Sequence, residues 1–282
     1  MELITKINKL KAVIRKTRGA GGTLGFVPTM GALHEGHLSL VRKARDTADT
    51  VLVSIFVNPI QFGRGEDFDR YPRNLSHDVE LLTRVGVDYV FAPSPEEFYP
   101  KDFNTFVEVE ELSNVLCGQN RPGHFRGVAT VVAKLFTIVE PDFAFFGQKD
   151  AQQAIVIRTM ARDLDFQVDV RVCPIVREAD GLAMSSRNVY LSPEQRRAAP
   201  VLYRSLCLAA SLILDGERQT GLIRRAALDL IGAEPQARAE YFEIVSSRDL
   251  QPLSDLHGEA LIALAVRIGD IRLIDNLLVD VP

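Results

Sequence analysis

The chain has 282 residues, 46% of them apolar and 25% charged, with a formal net charge of −4. That is long enough for two domains or one large one and apolar enough to bury a sizeable core, and it lacks the overall basic bias of a nucleic-acid binder. Cys117, Cys173 and Cys207 are odd in number and widely spaced with no C-x-x-C, so neither a disulfide framework nor a zinc site is indicated.

The N-terminal stretch MELITKINKLKAVIRK reads as an amphipathic charged helix and lacks the apolar block of a signal peptide. No stretch approaches the roughly 20 apolar residues needed to cross a bilayer, so a soluble cytoplasmic protein is expected. Glycines 19, 21 and 22 break the helix before Thr23-Leu24-Gly25-Phe26-Val27, a short buried strand. Beyond the turn that follows, Leu38, Val41, Ala44 and Ala48 recur at helical spacing, and the apolar run VLVSIFV (51–57) reads as a second buried strand. Strand, glycine-containing turn, helix and strand make one β-α-β unit, whose turn lies at the edge where α/β sheets bind ligands.

That turn carries His34-Glu35-Gly36-His37. A helix N-terminus presents unpaired N–H groups and the positive end of its dipole, so phosphate is attracted there. Gly31 and Gly36 leave room for close approach to the backbone, and imidazoles at positions 34 and 37 can donate to a polyphosphate and stabilise a departing pyrophosphate. Two histidines at this spacing can also be metal ligands or plain surface residues. No third Cys, His or clustered carboxylate lies nearby, and H-E-x-x-H is absent.

After the second strand, Asn58-Pro59-Ile60-Gln61-Phe62-Gly63 is a polar turn and GEDFDRYPR (65–73) is charged and irregular. Residues 79–85 read as a helix stopped by Gly86, and VDYVFA (87–92) as a third strand. A Pro-punctuated loop leads to Thr105-Phe106-Val107-Glu108-Val109, and the basic loop RPGHFRG (121–127) opens a helix over 128–139. A strand over 142–146 ends in Gly147-Gln148-Lys149-Asp150, followed by a helix over 152–161 and a strand over 167–173. This alternation argues for a parallel, doubly wound sheet. After about residue 187 the character changes. Ser192-Pro193-Glu194 starts a helical stretch over 193–214, a helix over 220–231 follows, and strands over 241–245, 260–266 and 272–279 come last, as in a small α+β domain.

Three further stretches carry candidate chemistry. Gly147 allows backbone approach, Lys149 is a point charge suited to phosphate, and Asp150 can cap the next helix. Met184-Ser185-Ser186-Arg187 offers two hydroxyls and a guanidinium that can wrap a triphosphate. Gln61 and Gln153 are neutral amides able to hold a hydroxy acid without repelling its carboxylate. Each also reads as a solvated turn or polar surface when taken alone.

Together PTMGALHEGHLSLV, FVNPIQF, DFDRYPR, RPGHFRGVATVV, FGQKDAQQ and MSSRNVYLSPEQR resemble the pantothenate synthetase (pantoate–β-alanine ligase) family of H-x-G-H nucleotidyltransferases, in order and at family spacing. The resemblance covers essentially the whole chain, is strongest over residues 27–197, and loosens toward the C-terminus. It implies a Rossmann-like doubly wound parallel sheet with a smaller C-terminal α+β domain. Residues 1–183 would form the nucleotide- and pantoate-binding domain, and residues 184–282 an α+β lid. It also implies ATP-dependent condensation of (R)-pantoate with β-alanine through a pantoyl adenylate, Mg²⁺ accompanying ATP, and a homodimer.

The family's ATP-binding positions fall on Met30, Gly31, Ala32, Leu33, His34, Glu35, Gly36 and His37, then on Gly147, Gln148, Lys149 and Asp150, on Val176 for adenine, and on the mobile loop Met184, Ser185, Ser186 and Arg187. Pantoate would be bound by Gln61 and Gln153, with Gln61 also near β-alanine. His34, His37, Lys149 and Arg187 would be the catalytic set, His37 standing at the position assigned as proton donor, although stabilisation of the leaving pyrophosphate describes it equally well. No carboxylate can be assigned to the metal. Arg64 stands where many members have proline or a small residue. The competing expectations are another H-x-G-H nucleotidyltransferase acting on a phosphate-bearing acceptor, and a non-catalytic nucleotide-binding protein.

Overall fold

Strands buried on both faces of a parallel sheet need continuous apolar runs, and the first half of the chain supplies them at 24–27, 51–53 and 143–146. In the computed structural model, which describes residues 1–19, 21–253 and 256–282, these runs become the centre of a six-stranded parallel sheet. The chain passes through β1 (Glu2–Ile4), α1 (Ile7–Gly19), β2 (Leu24–Thr29), α2 (Glu35–Arg45), β3 (Thr50–Ile55), α3 (Leu75–Arg84) and β4 (Tyr89–Phe91). Short turns α4 (Pro95–Phe98) and α5 (Cys117–Asn120) precede α6 (His124–Val139), β5 (Phe143–Gly147), α7 (Ala151–Asp163) and β6 (Asp169–Cys173). Then come α8 (Pro193–Ala198), α9 (Val201–Leu214), α10 (Thr220–Gly232), β7 (Ala237–Ser246), β8 (Gly258–Ile268) and β9 (Ile271–Val281).

Two compact units result: Met1–Asn114, Gly118–Gly147 and Gln153–Pro174 form the first, and Val115–Cys117, Gln148–Gln152 and Ile175–Pro282 the second. The main part of the second unit begins at Ile175, and the unit also takes in the turn at 148–152.

The first unit's sheet has the order β1-β4-β3-β2-β5-β6, and the order reverses between β2 and β5. On one face, Leu38, Val41 and Ala44 of α2 and Leu82 of α3 pack with Val27, Val53, Val90 and Phe145. Each such Leu or Val contributes on the order of 1.5–3 kcal/mol by leaving water. Phe146 points to the opposite face and meets Phe136 of α6, with ring centroids 6.5 Å apart. β2 pairs with β3 from Leu24 to Thr29 but with β5 only at Gly25 and Phe26, so β2 and β5 part toward their carboxyl ends. Pro28, which has no N–H to give, falls in the parted stretch. Parting at a reversal of strand order is the geometry of a ligand-binding crevice.

Several expectations need correction. Glu2–Ile4 does not begin a helix: it is an edge strand paired in parallel with β4, with Ile4 fully buried. α3 starts at Leu75 because the Asn74 side chain accepts from the His77 N–H and caps it. Over 105–109, for which the sequence names no element, Val107 donates its N–H to the Thr130 hydroxyl at 3.0 Å. The helical stretch at 193–214 divides around Pro200, whose missing N–H ends α8.

In the second unit β7, β8 and β9 form an antiparallel sheet with a bulge between Ala239 and Tyr241. Leu202, Leu206, Ala209 and Ile213 of α9 and Ile223, Ala227 and Ile231 of α10 pack on Phe242, Ile262, Leu264 and Val266. By length and composition alone Pro193–Leu214 is apolar enough to span a membrane, contrary to the expectation that no stretch is. Its buried face packs on this sheet, which accounts for the apolar content.

Candidate active site

The turn after β2 is held from below by a carboxylate. Asp78 of α3, 1% exposed, accepts the N–H groups of Leu33 at 2.8 Å and Ala32 at 3.0 Å. Burial raises the Asp78 pKa, and the two N–H donors oppose the rise. Gly31 enters this turn at φ +81°, and a Cβ there would lie 2.9 Å from Asp78 Oδ2, so both conformation and space exclude a side chain.

His34 is the N-cap of α2. Its Nδ1 accepts the Gly36 N–H at 3.2 Å, while His37 Nδ1 accepts the His34 N–H at 3.4 Å, a reciprocal capping box made by two imidazoles. The rings lie 4.1 Å apart between centroids. A ring nitrogen that accepts carries no proton, so in both neutral rings the proton sits on Nε2, as a donor. Glu35, exposed, pairs with Arg42 on the same helix. At the carboxyl end of β3, Gln61 is 8% exposed and its Nε2 donates to the sulfur of Met30 at 3.1 Å, so these two candidates are brought together.

Gln61 is held at two further points. Its Oε1 accepts from Asn58 Nδ2 at 2.9 Å, and its backbone carbonyl accepts from His124 Nδ1 at 2.8 Å. The Arg121 guanidinium, which can only donate, lies 3.0 Å from His124 Nε2, an arrangement that fits the tautomer with its proton on Nδ1. Arg121 in turn grips Glu66 with two bonds of 2.6 and 2.7 Å. Burial pushes the Glu66 carboxyl up, but the Arg121 guanidinium, helped by the Gly63 backbone and the nearby His124, holds the group below the ordinary carboxylate range.

The remaining candidates belong to other segments. Gln153 lies half-buried on α7, next to the buried Gln152, which bonds to Cys117 N–H and Val115 carbonyl. Gln148, Lys149 and Asp150 form a turn that the second unit clamps: buried Asn276 of β9 donates to the carbonyls of Gln148 at 2.9 Å and Lys149 at 3.0 Å, and accepts from Gln148 Nε2. Lys149 stands 3.8 Å from Asp150. Gly147 ends β5. Val176 accepts the Met184 N–H at 3.0 Å, so the adenine and mobile-loop candidates meet at the base of one hairpin. Arg177 donates within that hairpin to the Gly181 carbonyl at 3.0 Å and ties it to β9 by a bidentate pair with buried Asp275, at 2.6 and 3.0 Å. Within Met184, Ser185, Ser186 and Arg187, the Ser185 hydroxyl accepts the Arg187 N–H at 3.2 Å.

Sequence reasoning missed Asp78, Asn58, His124 and Asn276. Asn58 had a signal, being polar beside Gln61 at a strand end. Asp78 had none, since its contact with the turn spans 46 residues. Among the described residues, no group of three or more His, Cys, Asp or Glu could hold a metal ion.

The pantoate–β-alanine ligase family profile matches residues 2–278. A pantothenate synthetase of Pelotomaculum thermopropionicum is 58% identical over 98% of both chains, and one of Heliobacterium modesticaldum is 59% identical over the full length of both. Among solved structures, the pantothenate synthetase of Thermus thermophilus superposes with a TM-score of 0.94 at 49% identity, covering 98% of this chain and 99% of that one. The pantoate–β-alanine ligase of Francisella tularensis, determined in complex with β,γ ATP and β-alanine, has a TM-score of 0.81 at 34% identity, covering 99% and 97%. With matches of this identity and extent, and a six-stranded parallel sheet whose order reverses beside an H-x-G-H turn, the chain belongs to the pantoate–β-alanine ligase family.

Proposed function

We propose that the protein joins (R)-pantoate to β-alanine in two steps on ATP. The pantoate carboxylate oxygen attacks the α-phosphorus, and pyrophosphate leaves with the bonding electron pair. The β-alanine amine then attacks the acyl carbon of pantoyl adenylate, AMP leaves, and the amine proton passes to solvent, giving pantothenate. The observation that carries this reading is the pair of Nδ1-accepting histidines at the start of α2, which leaves both rings as Nε2–H donors. Such preorganised donors suit charge that develops on a departing pyrophosphate.

We assign the ATP site to Met30, Gly31, Ala32, Leu33, His34, Glu35, Gly36 and His37, with Gly147, Gln148, Lys149 and Asp150 toward ribose and phosphate and Val176 toward adenine. Met184, Ser185, Ser186 and Arg187 belong to the loop that closes over the triphosphate. Lys149 and Arg187 carry the charge neutralisation and His34 and His37 donate hydrogen bonds to the phosphates as the rest of the catalytic set, since the step brings two anions together and rate comes from positioning and electrostatics. Gln61 and Gln153 bind pantoate. Mg²⁺ enters as part of the ATP substrate, as is usual for a bound triphosphate. The protein acts as a cytoplasmic homodimer, and its boundary of function follows residues 1–183 and 184–282.

The test is pyrophosphate release from ATP and Mg²⁺ with pantoate alone, then AMP and pantothenate release after addition of β-alanine. Pantoate-dependent pyrophosphate followed by β-alanine-dependent turnover is the expected result. Pyrophosphate release with a phosphate-bearing acceptor, and none with pantoate, would transfer the site to another H-x-G-H nucleotidyltransfer reaction.

A further inference from the structure

The Gln61 amide is oriented by a chain of groups whose polarity is fixed at its far end. Asn58, 1% exposed, directs one side-chain atom at the carbonyl oxygen of Gly127, 3.1 Å away. A carbonyl only accepts, so that atom is Nδ2, and its second hydrogen goes to Gln61 Oε1 at 2.9 Å. Asn58 Oδ1 is thereby turned to Tyr99, whose hydroxyl donates to it at 2.9 Å. The close approach that sets this polarity depends on residue 127 being glycine. A Cβ there would lie 2.4 Å from the Ile60 carbonyl oxygen and 2.6 Å from Gln61 Cα. Because Gln61 Oε1 is taken by Asn58, its NH2 is left to face Met30 and the turn that carries His34 and His37. Burial raises the Tyr99 hydroxyl well above the ordinary phenol range, so it remains a donor at any working pH.

We propose that Tyr99 is a positioning residue for substrate recognition: by donating to Asn58 it locks the Gln61 amide with its NH2 group toward the substrate, so the site demands a hydrogen-bond acceptor, a carboxylate or hydroxyl oxygen, at that point. Without the Tyr99 hydroxyl, Asn58 Oδ1 is buried without its donor, the Asn58 amide loses its tether, and Gln61 samples orientations that present Oε1 to the substrate oxygen. The proposal rests on the assignment of Gln61 to pantoate.

The experiment measures KM for pantoate and for ATP in the wild-type protein, Tyr99→Phe, Gln61→Ala and the double variant. Loss of one oriented hydrogen bond corresponds to about a tenfold rise in pantoate KM for Tyr99→Phe. ATP KM is expected to stay unchanged, which also reports that the variant is folded. In the Gln61→Ala background, Tyr99→Phe is expected to add nothing, because the group it orients is gone. Equal rises in both KM values, no rise at all, or full additivity with Gln61→Ala would each overturn the relay. If Gln61→Ala itself leaves pantoate KM unchanged, the assignment of Gln61 fails and takes the proposal with it, and that outcome is recognised from the single Gln61 variant alone.

Discussion

At the scale of single residues, the histidines of α2 combine two tasks that helix starts usually divide between different side chains. An N-cap is commonly a short oxygen-bearing residue accepting one N–H. Here each imidazole accepts through Nδ1 and thereby fixes its own tautomer. The structural share of His37 is small, since its capping bond is 3.4 Å long. His37→Ala is therefore expected to cost no more than about 1 kcal/mol of stability. The same change should slow adenylate formation about 10²-fold or more, as when one preorganised donor is removed. Single-turnover pyrophosphate release beside a thermal melt separates the two effects. Wild-type-like turnover in this variant would remove His37 from the mechanism.

At the scale of elements, the loop after residues 59–61 is tied to the start of α6 by Glu66, Arg121 and His124. Because the folded-state pKa of Glu66 is lowered, its contribution to stability is present above the unfolded carboxylate value, about 4.3, and is lost as the pH falls through the lower folded value. Glu66→Gln should cost about 1–2 kcal/mol at neutral pH, where the pair is partly shielded from water. Urea unfolding at pH 7 and below about pH 4 checks this. A deficit of the same size at both pH values would mean that Glu66 acts by packing and not by charge. This tie joins residues 55 positions apart, so no local pattern announces it. Elements with strong periodicity or a continuous apolar run, such as α2, α6 and β3, were legible in the sequence. β1 was not, because three residues carry no period and the strand exists only through its pairing with β4.

At the scale of the whole molecule, the alternation of strands and helices sufficed to expect a parallel sheet followed by an α+β part, and the sheet order β1-β4-β3-β2-β5-β6 agrees with it. The ordered motifs sufficed for the family. What stayed hidden were the buried polar residues that hold the candidates in place. Asp78 and Asn276 look in sequence like ordinary polar positions, and their value comes from partners far along the chain. The proposed homodimer gives a mass of twice the 31.3 kDa chain. Sedimentation equilibrium at micromolar concentration is expected to return that value, and a single-chain mass under those conditions would refute the dimer.

The way the turn after β2 is tied down has a consequence for how an anion can be held there. Ala32 and Leu33 spend their N–H groups inward on Asp78, while those of His34 and Gly36 end on imidazole nitrogens and that of His37 on the His34 carbonyl. At these five positions a phosphate in the proposed complex therefore does not rest on main-chain amides, as it does at a glycine-rich phosphate loop. Each ring takes in a main-chain N–H at Nδ1 and carries its proton on Nε2. The two rings work as conductors that extend the donor end of the helix by the width of an imidazole. Removing a ring would bring the anion's contact back to the main chain, so the distance from helix to phosphate, and with it the alignment of the attacking carboxylate, is set by side chains and not by the backbone.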